Sequence, residues 1–276
     1  MHAESSEHFC TACGLAGGLR ISLRRPDVPE PEELVLERPF AMLGASPAND
    51  VVLDHAAVSR RHAYLQAVAG RVYCIDLGSR TGLVWDRQIR PSGWVGAGEE
   101  VFIGPFRFTT SASPAASPVA PDPAEGWDPL HTRIKEGERM PALVLEMDSA
   151  GYKRTRWQLS RVLALVGRDR GCKLWLAAES VSAFHCSLVG TPGGVWVVDL
   201  LSREGTYVNG NRVAFRRLED GDRLRVGRVQ IRAWYDSISG GASGTALAPA
   251  AEPAPPPPPA RRSRPGRPAA RPPARG

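Results

Sequence analysis

Residues 199–210 read Asp-Leu-Leu-Ser-Arg-Glu-Gly-Thr-Tyr-Val-Asn-Gly, and this stretch is punctuated by turn signals on both sides of short apolar segments. Asn209-Gly210 favours a tight hairpin, because both residues tolerate positive φ angles. Upstream, Gly193-Gly194 separates two further segments of strand length. The same reading predicts strands at 142–147, 155–159, 162–166, 186–189 and 195–200. Several short strands at close spacing, without a sustained helical period, predict a β-sandwich of about 95 residues.

The chain repeats itself at a constant offset of 123 residues. Matched identical residues run through both copies in one register, without a net insertion. Examples are Gly44 and Gly167, Leu53 and Leu176, His62 and His185, Asp76 and Asp199, Gly82 and Gly205, and Gly104 and Gly227. Self-similarity at a fixed period indicates a duplicated structural unit. The sequence therefore predicts two copies of one all-β domain.

Composition divides the chain into five parts. Residues 1–18 form an N-terminal extension that contains a Cys-x-x-Cys pair, and 19–110 hold the first domain. Residues 111–140 are a linker that begins rich in Ser, Ala and Pro, and 141–236 hold the second domain. Residues 237–276 form a Pro/Arg-rich tail. The linker and the tail have the composition of disordered segments, and such a linker permits independent motion of the two domains without fixing how they are arranged.

The positive charge of the chain lies in its tail. The formal net charge is +6, and residues 241–276 contain six arginines and one glutamate, which is +5 of that total. An odd number of cysteines, five, does not indicate a disulfide framework. Apolar runs are too short for a membrane span, and the N-terminus lacks the pattern of a signal peptide. We therefore expect a cytoplasmic protein without membrane insertion.

Three motifs occur in the same order in both copies. The second copy contains Gly167-Arg168, Val181-Ser182-Ala183-Phe184-His185 and the segment 199–210, which ends in Asn209-Gly210. The first contains Gly44-Ala45, Val58-Ser59-Arg60-Arg61-His62 and Asp76-Leu77-Gly78-Ser79-Arg80-Thr81-Gly82. Both copies resemble the forkhead-associated (FHA) domain, whose marks are Gly-Arg, Ser-x-x-His and Asn-Gly. The resemblance implies two antiparallel sheets in each sandwich. It also implies loops at one end of the sandwich that bind phosphothreonine peptides.

The resemblance carries phosphate binding to particular residues. A phosphate dianion needs positive donors, and an arginine fork supplies two parallel charge-assisted bonds. The implied phosphopeptide-binding residues are Arg168, Ser182 and Arg203 in the second copy and Ser59, Arg60 and Arg80 in the first. The implied loop-supporting residues are His185, His62, Asn209 and Gly210. Since these side chains come from separate loops, the fold must bring them together.

Each copy departs from the family pattern in a different way. In the first, Ala45 replaces the key arginine and Thr81 replaces the asparagine that holds the peptide backbone. In the second, Ala183 replaces a common basic residue and Glu204 stands at the asparagine position. The second copy therefore retains more of the anion site and is the better candidate.

The serine-histidine spacing and the cysteine pair each suggest another kind of site. A serine three residues before a histidine fits a hydrogen bond that fastens a loop, whereas nucleophilic catalysis also needs an orienting acid and an oxyanion site. Cys10-x-x-Cys13 resembles half of a zinc site, but a complete site needs four ligands. Mobile thiols are the simpler interpretation of that pair. We expect no enzyme activity, no cofactor and no small-molecule substrate.

These observations predict a protein-binding adaptor. The resemblance implies that the second domain recognises phosphothreonine in Ser/Thr kinase signalling. A scaffold that binds proteins without phosphorylation is one alternative, because both sites have lost family residues. A protein that associates with nucleic acid through its basic tail is another, and it predicts binding that weakens steeply with salt.

Overall fold

The first domain is built from eleven strands. The computed structural model describes residues 2–111, 127–134, 140–149 and 152–236. In order, the strands are β1 (Leu19–Arg24), β2 (Glu32–Leu36), β3 (Phe40–Gly44), β4 (Val51–Val52), β5 (Ala63–Val68), β6 (Arg71–Asp76), β7 (Leu83–Trp85), β8 (Gln88–Arg90), β9 (Ser92–Val95), β10 (Val101–Ile103) and β11 (Phe106–Ser111). They form a six-stranded sheet, β2-β1-β11-β10-β7-β8, and a five-stranded sheet, β4-β3-β5-β6-β9.

The second domain repeats the first strand for strand. Its elements are β12 (Leu143–Ser149), β13 (Tyr152–Gln158), β14 (Leu163–Gly167), β15 (Leu174–Trp175), β16 (Cys186–Thr191), β17 (Gly194–Asp199), β18 (Thr206–Val208), β19 (Asn211–Val213), β20 (Phe215–Leu218), β21 (Arg223–Val226) and β22 (Val229–Tyr235). The sheets are β13-β12-β22-β21-β18-β19 and β15-β14-β16-β17-β20. The prediction of two all-β sandwiches is therefore confirmed.

One detail departs from wholly antiparallel sheets. The two-residue strands β4 and β15 pair in parallel with β3 and β14, at the edge of each five-stranded sheet. In each domain, the short loop before the edge strand turns the chain back, so that β4 or β15 then runs beside the end of β3 or β14 in the same direction. All the other pairings are antiparallel. The hairpin predicted at Asn209-Gly210 joins β18 to β19, and both turn residues have positive φ, 51° and 83°.

Each sandwich encloses its own apolar core. The alternation of buried and exposed residues in the six-stranded sheets, as in β22 (Val229, Ile231 and Ala233 inward), sends one face of each sheet inside. The five-stranded sheets differ, because β3, β5, β14 and β16 are buried at every residue. A strand that is buried on both faces must pack against a second layer, so these sheets have a further partner.

That partner is the five-stranded sheet of the other domain. A third apolar cluster joins residues of both sheets, including Met42, Tyr64 and Ile75 of the first and Leu165, Val189 and Val198 of the second. At its centre the hydroxyl groups of Tyr64 and Ser187 are 2.8 Å apart. The two domains therefore share a core, an arrangement that the sequence left open. Burial of apolar area between the sheets outweighs the freedom that the linker composition would allow.

An N-terminal helix and a piece of the linker extend this shared core. Helix α1 (His2–Ala12) places Phe9, which is fully buried, in a 4.3 Å stack on Trp196 of the second domain and 6.1 Å from the ring of Phe40 of the first. In the linker, Trp127 stacks on Trp94 at 5.5 Å. In the part of the chain that the structure describes, no helix is both long and apolar enough to cross a membrane.

The helix was not expected from the sequence. Over residues 6–12, where burial is described, the helix buries Phe9 and Cys10, and Cys13 and Leu15 are buried just after it. Cys10 and Cys13 are therefore buried thiols rather than the mobile ones predicted, and burial raises the pKa of Cys10 to about 11. The apolar spacing 9, 10, 13 was the available signal. It was too short to stand out as a helical period.

Candidate functional site

The Ser-x-x-His loop is held in the same way in both domains. The backbone N–H of Ser182 donates to Nδ1 of His185 at 3.1 Å, and Nε2 of that ring bonds to the carbonyl of Gly205 at 3.1 Å. In the first domain, Ser59 and His62 repeat the first contact at 3.2 Å, and His62 bonds to Gly82 at 3.0 Å. Each histidine thus ties the serine loop to the glycine that precedes the next strand.

These contacts fix the charge state of both rings. Nδ1 accepts an N–H bond and is therefore unprotonated, while Nε2 must carry the hydrogen that reaches the carbonyl oxygen. Burial lowers the pKa of His62 and of His185 below the ordinary value of 6.5. Both imidazoles are neutral supports with both nitrogens occupied.

The serine hydroxyl faces the arginine loop that follows β17. The Oγ atom of Ser182 accepts the backbone N–H of Arg203 at 3.1 Å, and the Arg203 guanidinium donates to the carbonyl of Glu179 at 2.9 Å. Ser59 and Arg80 make the equivalent contact at 2.9 Å in the first domain. An accepted bond leaves the hydroxyl hydrogen of each serine available for donation.

Arg168 lies at the same end of the second sandwich. Its Nε atom donates to the carbonyl of Val181, next to Ser182, at 3.2 Å. Its own carbonyl accepts the indole N–H of Trp175 at 3.1 Å. Within the described ranges, its terminal nitrogens make no hydrogen bond and its guanidinium has no acidic partner. The structure thus places Arg168, Ser182 and Arg203 around one edge, with all three loops connected.

The first domain lacks the guanidinium at this place. Ala45 occupies the position of Arg168, and its backbone N–H bonds to the carbonyl of Ser59 at 3.0 Å. Nδ2 of Asn49 donates to the carbonyl of Arg60 at 2.6 Å. In the second domain the thiol of Cys172 donates to the equivalent carbonyl, that of Ala183, at 3.3 Å. The exposed side chains of Arg60 and Arg80 remain on this loop cluster.

The residues at the family's asparagine position have taken other contacts. The carboxylate of Glu204 lies 4.0 Å from the guanidinium of Arg228. In the first domain the hydroxyl of Thr81 donates to the carbonyl of Ala57 at 3.0 Å. Glu204 brings a negative charge to the edge of the cationic cluster, which opposes the binding of an anion there.

A half-buried aspartate, Asp199, organises the loop after β17, and the sequence reasoning missed it. Asp199 accepts bonds from the hydroxyls of Ser202 at 2.5 Å and Thr206 at 2.7 Å, and from the backbone N–H of Ser202 at 3.1 Å. Among the residues described, its counterpart Asp76 keeps only the bond from the N–H of Ser79, at 3.0 Å. Leu83 replaces Thr206, and the Ser79 hydroxyl instead accepts the N–H of Gly82 at 2.9 Å. The spacing Asp-x-x-Ser-x-x-x-Thr was the available signal.

Asn209 and Gly210 lie away from this cluster. They form the tip of the β18–β19 hairpin, and Nδ2 of Asn209 donates to Asp222 at 2.6 Å. The N–H of Arg223 donates to Oδ1 of Asn209 at 2.9 Å. Asn209 therefore supports the turn before β21, at the end of β18 opposite Gly205. It makes no hydrogen bond to the serine loop among the residues described.

The cysteine pair lies in the shared core. Sγ of Cys13 accepts a bond from the amide of Gln66 at 3.6 Å, and burial raises the pKa of Cys13. Over the described ranges, no group of three or more His, Cys, Asp or Glu residues is arranged to hold a metal ion. The contacts of Cys10 and Cys13 are those of core residues.

Comparison with known proteins places this geometry in a family. The family model of the FHA domain matches residues 42–104 and 164–227, one region in each sandwich. An oxoglutarate dehydrogenase inhibitor of Corynebacterium efficiens is 38% identical over 82 residues, 30% of this chain and 58% of the relative. The glycogen accumulation regulator GarA of Mycolicibacterium smegmatis is 35% identical over 80 residues, 29% of this chain and 51% of the relative.

This chain thus spans just over half the length of these two relatives. Among solved structures, an FHA domain studied for phosphothreonine-dependent interactions is 27% identical, with a TM-score of 0.32. That likeness covers 34% of this chain and 95% of the solved one. Both matched regions contain the Ser-x-x-His loop, the histidine support and the following glycine loop described above. The chain therefore contains two matches to the FHA domain in tandem, one in each sandwich.

Proposed function

We propose that this protein is an adaptor in Ser/Thr kinase signalling whose second domain binds phosphothreonine in a partner protein. The observation that carries the proposal is the state of Arg168. Its Nε atom is fastened to the carbonyl beside Ser182, while its terminal nitrogens face no acidic group of the described chain. A planar guanidinium held in this way is prepared for a phosphate oxygen.

The neighbouring groups suit the same ligand. The Ser182 hydroxyl has a hydrogen to donate, and Arg203 adds a second exposed cation whose backbone is tied to that hydroxyl at 3.1 Å. Positive donors arranged before the ligand arrives reduce the entropy lost on binding. The cluster therefore supports recognition of a dianion on a protein surface, as do the two matches to the FHA domain.

Binding rather than catalysis fits the histidines. General base catalysis would require a ring nitrogen of His185 facing the Ser182 hydroxyl. Instead, Nδ1 accepts the serine N–H and Nε2 bonds to the Gly205 carbonyl. The names of the two relatives are those of an inhibitor and a regulator, which also suits a protein that acts by binding. We place its action in a reducing compartment such as the cytoplasm, because all five cysteines are free thiols.

Calorimetric titration of the full chain with phosphothreonine peptides tests the proposal. We expect binding by phosphorylated but not by unphosphorylated peptides. Arg168→Ala should weaken it about 10- to 150-fold, which corresponds to the loss of about 1.5–3 kcal/mol from one charged hydrogen-bonding group. Arg232→Ala is the matched control, because it removes the same charge from an exposed position on β22. It should change the affinity less than twofold.

A scaffold that binds proteins independently of phosphorylation is the second candidate. The Glu204 carboxylate at the edge of the cationic cluster and Ala45 in the first domain favour it. Equal binding of phosphorylated and unphosphorylated peptides, unchanged by Arg168→Ala, would replace the proposed function by this one. Association with nucleic acid would depend on the tail, whose residues lie outside the described ranges; the titration repeated without residues 237–276 separates that contribution.

A further inference from the structure

Residues at equivalent positions of the two domains contact each other across the shared core. The hydroxyls of Tyr64 and Ser187, which are equivalent in the repeat, are 2.8 Å apart. Arg61 is equivalent to Phe184, and its Nη1 donates to the Phe184 carbonyl at 3.0 Å. A residue can touch its own equivalent only near the axis that relates the two copies.

The remaining contacts have the reciprocity of a twofold axis. Arg61 donates to the carbonyl of Leu201 at 3.4 Å, and Leu201 is the equivalent of Gly78. Conversely, a Cβ atom built on Gly78 would lie 3.2 Å from the ring of Phe184, the equivalent of Arg61. Gly78 and Leu201 both have positive φ, 69° and 53°. The contact is therefore reciprocal: Arg61 of the first copy meets Leu201 of the second, and the equivalent residues Phe184 and Gly78 also lie next to each other.

The two self-contacts fix the direction of this axis. Arg61 and Tyr64 are three residues apart, at the start of β5, and both lie near the axis. The axis consequently runs along β5 and its equivalent β16. A twofold rotation about a line parallel to a strand leaves the strand direction unchanged. Both serine loops, which precede β5 and β16, must then lie at the same end of the molecule.

The two loops also touch. Ser59 and Ser182 are each two residues from the pair formed by Arg61 and Phe184. Given the reach of the chain and of an arginine side chain, the two serine Cα atoms are at most about 25 Å apart. An extended peptide of about eight residues covers that distance. The separation is therefore within the reach of one short segment of a partner.

Both loops offer exposed cations on this end. Arg168 and Arg203 are exposed in the second domain, as are Arg60 and Arg80 in the first. None of these four has an acidic partner within the described ranges. The first domain lacks the fastened guanidinium because of Ala45, so its cluster is the weaker of the two. A weak cluster held close to a stronger one acts at a high effective concentration.

We propose that the two domains form one composite site for a doubly phosphorylated segment of a partner protein. The second domain holds a phosphothreonine, and the cluster of Ser59, Arg60 and Arg80 holds a second phosphoryl group within about eight residues along the chain. This inference rests on the proposed function of the second domain. It adds a ligand class and a role for the first domain, whose own site is incomplete.

Calorimetry of the full chain with synthetic peptides tests this composite site. One series contains two phosphothreonines separated by two, four, six, eight or ten residues. The reference peptides contain the phosphothreonine for the second domain alone, or that phosphothreonine with glutamate at the second position. We expect 1:1 binding and, at the best spacing, at least tenfold higher affinity for the doubly phosphorylated peptide. In Arg60→Ala/Arg80→Ala we expect this gain to disappear while the affinity for the singly phosphorylated peptide stays within twofold.

Several results would overturn the inference, and they differ from failure of the proposed function. If singly phosphorylated peptide binds and no spacing improves its affinity, the composite site is wrong and the proposed function stands. The same holds if the gain survives Arg60→Ala/Arg80→Ala, if glutamate serves as well as the second phosphothreonine, or if two chains bind one peptide. If neither peptide binds, both proposals fail.

Discussion

The serine loops of the two domains are held by the same hydrogen bonds but are surrounded by different side chains. His62 and His185 make the same pair of bonds to the serine loop and to the glycine loop, within 0.1 Å of each other at each contact. Around this frame, the second domain has Arg168 and a fully bonded Asp199. The first has Ala45 and an aspartate, Asp76, with one carboxylate oxygen that lacks a partner among the described residues.

The difference separates what folding requires from what binding requires. The histidine contacts satisfy buried polar groups in each domain, so each sandwich needs them whatever it binds. The arginine is exposed, and its loss does not disturb the loop, since the N–H groups of Ala45 and Arg168 bond to the same serine carbonyl position. A site can therefore lose the side chain that binds the ligand while its backbone keeps the same shape.

Removing either histidine should have the largest effect, and a similar one in both domains. His185→Ala leaves the Ser182 N–H and the Gly205 carbonyl without partners, and His62→Ala does the same in the first domain. We expect each to lower the free energy of unfolding by about 2–4 kcal/mol. Urea unfolding measures this. A loss in only one domain would show that the two frames are not equivalent.

The same histidine hydrogen bonds predict that the stability of the fold depends on pH. Both histidines have a folded pKa below the unfolded value of 6.5, so the unfolded chain binds more protons in acid. The stability that their neutral form provides is present above 6.5 and decreases as the pH falls toward the folded pKa values. In His62→Ala/His185→Ala this part of the pH dependence should vanish.

The aspartates should respond unequally. Asp199→Asn removes acceptors from two hydroxyls and should lower the free energy of unfolding by about 2 kcal/mol. Asp76→Asn should cost less than about 1 kcal/mol, because one oxygen of Asp76 makes no bond and its charge is costly to bury. Parallel urea titrations compare the two. Equal losses would contradict the difference in their contacts.

The missing guanidinium can be returned to the first domain. In a chain whose second site is disabled by Arg168→Ala, Ala45→Arg should raise the affinity for a phosphothreonine peptide about tenfold or more. Calorimetry measures the gain, and Ala45→Gln, of similar reach without charge, is the control. An equal gain from glutamine would mean that the shape of the loop, and not its charge, limits the first domain.

The smallest effect concerns Glu204. Glu204→Gln removes a partly exposed negative charge from the edge of the second site and should strengthen phosphothreonine binding about two- to fivefold, as expected for a screened surface charge. The gain should shrink as salt is added. Weaker binding by this variant would instead assign the carboxylate a direct role in holding the peptide.

The sequence was sufficient to predict the repeat, the sandwiches and the hairpin at Asn209-Gly210. These features depend on local turn residues and on the alternation of apolar and polar residues. Because the chain is duplicated, each such pattern can be checked against its equivalent in the other copy. The shared core was not predictable in this way. Residues such as Tyr64 and Met42 look like ordinary strand residues, and their burial on both faces becomes visible only when two sheets meet. Linker composition was compatible with independent domains and with packed ones.

The residues of the candidate site that belong to a sequence motif were predictable. The roles that depend on tertiary contacts were not. Arg168, Ser182 and Arg203 came from the family pattern, whereas the position of Asn209 at the far end of β18 required the register of the hairpin. Arg61 illustrates the limit best. It lies inside the Ser-x-x-His motif yet points to the other domain, where it meets three backbone carbonyls. Only the tertiary arrangement distinguishes it from Arg60.

Backbone NMR during titration with a singly phosphorylated threonine peptide tests the central claim most directly, because the repeat provides its own reference. The N–H signals of Ser182 and Arg203 report on the second site, and those of Ser59 and Arg80 report on the first. We predict saturable shifts of the first pair at lower peptide concentration than any shift of the second pair, and no shifts with the unphosphorylated peptide. Unchanged Ser182 and Arg203 signals at saturating phosphopeptide would contradict the account.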